Sequence, residues 1–236
     1  MSNVTNKSIF GCLVGMALLL LLVSISSCFG SSEEKLQLGG HVLCVPKKHV
    51  VLSGGDSINS EQGSYDVGGP QLVVSWEPED VVQNLASYQL RHGDNLEYKS
   101  NLKVSIFVPS AEQLSFWKSA TPYVDRLKLT GTFEDAVVSQ VEAGMYKVSR
   151  RSESNYKWEV LTVEPGNSTV IPDKKEDFWL ASCSSFGDGS GVNCYTEFDY
   201  SGLYFRVAIA SPNLHLHNEI KDFIVNQLVS WAKCNT

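Results

Sequence analysis

The chain has 236 residues, enough for one large domain or two small ones and for a substantial buried core. With 43% hydrophobic and 19% charged residues, the composition excludes wholesale disorder and a polytopic membrane protein. The 26 acidic residues outnumber the 19 basic ones, a formal net charge of -7. No basic excess is left to neutralise phosphates, which argues against nucleic acid as a partner.

Ile9 to Ile25 runs seventeen residues without a charge, with Lys7 before it and Glu33, Glu34 and Lys35 after it. The lone cation on the N-terminal side places the N-terminus in the cytoplasm and exports the remainder. Seventeen residues suits either a signal peptide or a short uncleaved anchor, and both readings export the chain. Ile25-Ser26-Ser27-Cys28 follows directly. This run resembles the lipobox of bacterial lipoproteins, in which the cysteine becomes the lipidated N-terminus. The resemblance implies lipidation at Cys28 and a protein held at the bacterial envelope with its domain facing the periplasm. Phe29 stands where that family carries an aspartate as an inner-membrane retention mark, which favours the outer membrane.

Cys12 lies in the apolar run and Cys28 in the lipobox-like segment, leaving Cys44, Cys183, Cys194 and Cys234. An even set in an exported protein reads as two disulfides. No C-x-x-C spacing occurs to suggest a zinc knuckle or a redox pair.

In chain order, residues 1–27 are the signal peptide or anchor and 28–40 a tether. Residues 41–236 read as one exported domain, with a possible subdomain boundary near 165–177. His41 to Val45 and Val50 to Leu52 read as strand, and Ser53 to Pro70 as a long Gly/Ser/Asp loop of contact-segment character. Gln71 to Trp76 is a strand, and Pro78 to Gln83 a helical turn with proline first. Leu102 to Val108 alternates as a strand, and Ser110 to Gln113 is a capping box that turns Leu114 and Trp117 inward. Val124 to Thr132, Gly144 to Arg150 and Tyr156 to Val163 are strand-like, the last two forming a hairpin.

Phe178 to Cys183, Cys194 to Tyr200 and Leu203 to Ala210 are strands, and Leu214 to Cys234 is a closing helix. Leu216, Ile220, Phe223, Ile224, Leu228 and Trp231 form one apolar stripe along it. A two-residue turn at Ser201-Gly202 pairs Phe198 with Phe205, and Glu197 with Arg206 on the other face. Pairing Cys183 with Cys194 in the adjoining hairpin sets Trp179 against Phe198. By elimination Cys44 then pairs with Cys234.

The expected fold class is α+β, an antiparallel sheet with a C-terminal amphipathic helix packed on one face, after an N-terminal apolar export segment. Candidate chemistry is sparse. Gly187 to Gly191 lacks the glycine two before the serine that a nucleophile elbow needs, and reads as a turn. His215 and His217 could approach a metal in an extended segment but diverge on a helix start. His41, His49 and His92 have no partner by spacing. The sequons at Asn3 and Asn167 read as chance matches, and Lys147, Arg150, Arg151 and Lys157 as a local basic patch. No metal and no cofactor are expected, and no catalytic residue is assigned.

An early cysteine strand (Leu43-Cys44-Val45-Pro46), a late Cys…Cys hairpin, an aromatic strand and a terminal amphipathic helix are similar in layout to envelope immunity lipoproteins. Those proteins are partners of secreted antibacterial toxins. The likeness implies a membrane-tethered protein that acts by protein binding. The alternatives are a hydrolase with a spatially assembled site and a purely structural envelope lipoprotein.

Overall fold

A glycine-bearing turn at Ser201-Gly202 fixes the register at the middle of the main sheet. The computed structural model describes residues 32–54, 71–89, 102–120, 136–151, 156–165, 173–185 and 192–234. The apolar run Ile9 to Ile25, the lipobox-like segment with Cys28, and the sequons lie outside these residues. So do His92, Val124 to Thr132, Gly187 to Gly191 and all but the start of the Ser53 to Pro70 loop. Among the described residues no helix is long and apolar enough to cross a membrane.

The strands are β1 (Glu33–Leu38), β2 (His41–Pro46), β3 (Val50–Gly54), β4 (Gln71–Trp76), β5 (Leu102–Phe107) and β6 (Ala136–Glu142). They continue with β7 (Met145–Arg150), β8 (Lys157–Leu161), β9 (Trp179–Ser185), β10 (Val192–Tyr200) and β11 (Leu203–Ala210). The α-helices are α1 (Pro78–Val82), α2 (Ala111–Lys118) and α3 (His217–Trp231). β3 to β11 form one antiparallel sheet in the order β3-β4-β5-β11-β10-β9-β8-β7-β6, and β1 and β2 form a separate hairpin. The last strand therefore inserts at the middle of the sheet. The architecture is α+β, with the C-terminal helix on one face.

Ser201 and Gly202 both adopt positive φ, +53° and +79°. This matches the right-handed twist of the strands it joins. Tyr200 faces Leu203, Phe198 faces Phe205, and Glu197 faces Arg206. The Phe198 and Phe205 rings stack at 4.6 Å. On that face Leu203, Phe205, Val207 and Ile209 are buried under α3, whose Ile220, Phe223, Ile224, Leu228 and Trp231 point into the same core. Leu216 precedes the helix in a 3-10 turn spanning Ser211–Leu216 and completes the stripe. Cys44 in β2 is joined by a disulfide to Cys234 beyond the end of α3. Cys183 and Cys194 are joined directly across the β9–β10 hairpin.

Four features depart from the sequence reading. Part of the expected tether is a strand, since Glu33–Leu38 pairs with β2 and buries Leu38 in the main core. β6 precedes the expected middle hairpin and pairs with β7. The closing helix starts only at His217, because Pro212 lies in the preceding 3-10 turn. Trp179 does not face Phe198. Val160 opposes Ala181 but Leu161 opposes Trp179, so Leu180 is an extra residue in β9. Such a bulge turns the next side chain to the other face of the sheet.

Candidate functional site

The face of the sheet opposite α3 carries the polar chemistry. Alternation along β10 and β11 puts Tyr195, Glu197 and Asp199 there with Tyr204 and Arg206. Glu197 is the hub. It accepts hydrogen bonds from Arg206 Nε at 2.9 Å and Tyr204 Oη at 2.6 Å, and it is paired with the Lys175 ammonium. Lys175 comes from a 3-10 turn at Lys175–Asp177, and its side chain is 7% exposed. Burial alone would raise the Glu197 pKa, but the Lys175 and Arg206 cations and the hydrogen bonds outweigh it and hold the carboxyl below its ordinary range. For Lys175, burial pulls the pKa down against the pull of Glu197.

The network extends sideways through Trp179. The Lys175 ammonium sits 3.7 Å above its ring, and the indole N–H donates to Glu159 at 2.8 Å. Helix α2 is held against the same face. Its capping box at Ser110 and Gln113 starts it, as the sequence indicates. Trp117 packs on Tyr204 at 4.5 Å, and Lys118 pairs with Asp199 at 2.8 Å.

Exposed aromatic groups are carried by the same strands and by α2. Tyr195 is 43% exposed because its neighbours across the two adjoining strands are the small residues Ala208 and Ser182. Phe116 of α2 is 54% exposed. Arg206, with Ser105 on its other side, retains partial exposure while Glu197 fixes its guanidinium. An oriented arginine, exposed aromatics and a pre-packed sheet make a surface suited to protein recognition, where Arg and Tyr supply contact area at low entropy cost.

Elsewhere, three histidines meet backbone carbonyls. His41 lies 2.9 Å from the Ser201 carbonyl, His49 3.0 Å from that of Ser75, and His217 3.2 Å from that of Leu214. His49 is buried between Trp76 and Trp231, and desolvation lowers its pKa. Among the described residues no group of three His, Cys, Asp or Glu side chains could hold a metal ion. The basic residues of the middle hairpin divide between its two faces: Lys147 stands 4.0 Å over the Trp158 ring, and Arg150, three positions on in the same strand, lies on the other face.

The sequence reading identified Glu197 with Arg206 but missed Lys175 and Trp179. Lys175 lies in a polar connection with no periodicity, and only the bulge at Leu180 brings Trp179 to it.

No protein-family model and no curated protein sequence matches the chain. Among solved structures, an immunity protein of the Stenotrophomonas maltophilia type IV secretion system aligns with 85% of this chain and 93% of its own. The two are 11% identical at a TM-score of 0.39.

Proposed function

We propose that this is a membrane-tethered envelope protein that acts by protein–protein binding, with immunity to a secreted antibacterial toxin as its specific role. The observation that carries the reading is the face built on Glu197, where Arg206 and Tyr195 are presented on a sheet braced by α2. Charged groups on this face are committed to one another, so what they offer outward is a fixed shape and an oriented guanidinium. The lipobox-like segment supports lipidation of Cys28 and a periplasmic domain, and the disulfides Cys44–Cys234 and Cys183–Cys194 suit that oxidising compartment. The layout of cysteine strand, hairpin and closing helix gives the binding its direction toward immunity. Immunity genes sit beside their toxins, so the product of the neighbouring gene is the partner to test.

Pull-down of the full chain with that product is expected to yield a stoichiometric complex and to protect cells expressing the toxin. Turnover of an ester, glycan or peptide substrate, abolished by changing one histidine or serine, would replace binding with catalysis. Intact mass of the membrane-extracted protein checks the anchor: a chain starting at a lipidated Cys28 is expected, and one starting at Met1 or Ser2 contradicts it.

A further inference from the structure

The polar face has a corner where donors outnumber acceptors, and Ala208 is its floor. Tyr195 of β10 stands opposite Ala208 on one side, and Lys103 of β5 stands opposite it on the other. Opposed residues share a face, so these side chains rise from the same side of the sheet as Glu197 and Arg206. Two strand spacings, about 10 Å, separate Tyr195 from Lys103, and the small Ala208 side chain leaves a dip between them. Arg206, two residues before Ala208 in β11, bounds one end of the dip.

Three donors border this dip. Arg206 gives its Nε–H to Glu197 at 2.9 Å, and its two Nη groups have no partner among the described residues. Lys103 is exposed, and neither its ammonium nor the Tyr195 hydroxyl has a partner among the described residues. The carboxylates that β8 and β10 place on this face are already engaged. Glu197 is held by Lys175, Tyr204 and Arg206, Asp199 by Lys118, and Glu159 by Trp179 and Ser182.

We propose that the dip over Ala208 is the seat for a carboxylate side chain, Asp or Glu, of the protein partner, an inference that rests on the proposed binding role. An ionised carboxylate only accepts hydrogen bonds, and its two oxygens match the paired Nη edge of an arginine. Lys103 and Tyr195 supply the remaining donors. A single carboxylate suits the seat better than a polyanion does. The chain carries a formal charge of -7, which repels nucleic acid or an anionic lipid surface before either reaches these two cations. Within an interface, a charge pair of this kind acts on the lifetime of the complex and on which partner is accepted.

The test is calorimetric titration of the full chain with the product of the neighbouring gene, using wild type, Lys103→Glu, Lys103→Arg and Arg206→Lys. Lys103 is exposed, so its variants are expected to keep the fold, which thermal melting checks. Lys103→Glu is expected to weaken the complex about tenfold or more, and Lys103→Arg by less than about threefold. Arg206→Lys keeps a charge beside Glu197 but loses the fork, and is expected to weaken the complex by about tenfold. Changing one aspartate or glutamate of the partner to lysine is expected to restore the affinity of Lys103→Glu. A wild-type complex unchanged by Lys103→Glu, or a loss that no such change rescues, overturns the seat and leaves the binding role standing. Absence of any complex defeats the binding role and the seat with it. Phosphatidylglycerol vesicles that bind wild type but not Lys103→Glu would put a lipid phosphate in the seat and overturn the carboxylate too.

Discussion

Glu197 shows what a buried charge requires. Its carboxylate is satisfied by a lysine, an arginine and a tyrosine drawn from different elements, and removing it strands the Lys175 ammonium at 7% exposure. Glu197→Ala is therefore expected to destabilise the fold by about 3–5 kcal/mol, measured by urea denaturation. A milder loss would mean that Lys175 finds water when its partner goes. His49 behaves differently, because burial between Trp76 and Trp231 favours its neutral form. Its folded pKa lies below 6.5, so the unfolded chain takes up the proton first. Stability is then fully present above the unfolded value and declines as pH falls through 6.5 toward the folded pKa. The urea midpoint is expected to drop over that window and to flatten there in His49→Gln. A wild-type midpoint constant across the window would contradict the assignment. The opposite-charge pair of Glu197 and Arg206 was legible from a two-residue turn. Trp179 was not, since one inserted residue, Leu180, reverses its side and nothing in the local pattern announces a bulge.

The closing helix, with one buried face, was legible, and β6, with none, was not. In α3 the stripe at spacings of three and four maps onto the core, with Trp231 stacked on Trp76 at 5.6 Å. Trp231→Ala is expected to cost about 3–5 kcal/mol in chemical denaturation, from lost burial and the cavity left behind. A change below about 1 kcal/mol would mean that the core collapses around the gap. β6 was missed because it is exposed on both faces and so shows no alternation of polar and apolar residues. Ala143-Gly144, where Gly144 has φ of +78°, was its best signal: a two-residue turn between two β-rich runs. β1 was missed for a similar reason, since its charged, alternating residues read as tether until β2 covers one side of them.

Across the whole molecule, the disulfide between Cys44 and Cys234 spans 190 residues and ties the first hairpin to the closing helix. On loop-closure grounds, the Cys44→Ser and Cys234→Ser double variant is expected to lose about 4–5 kcal/mol. The short Cys183–Cys194 loop is worth about 3 kcal/mol on the same grounds. Scanning calorimetry of the two double variants checks the order, and a larger drop on losing the short loop would contradict it. Under the proposed function this bracing matters, because recognition by the Glu197 face requires a sheet that does not rearrange. The most direct measurement of that claim is calorimetric titration of the full chain with the product of the neighbouring gene, using wild type, Tyr195→Ala and Phe116→Ala. Both side chains are exposed, so neither change should disturb the fold. The account predicts a stoichiometric complex that each substitution weakens by about 1–2 kcal/mol or more. No heat of binding, or affinities identical in all three proteins, would contradict it.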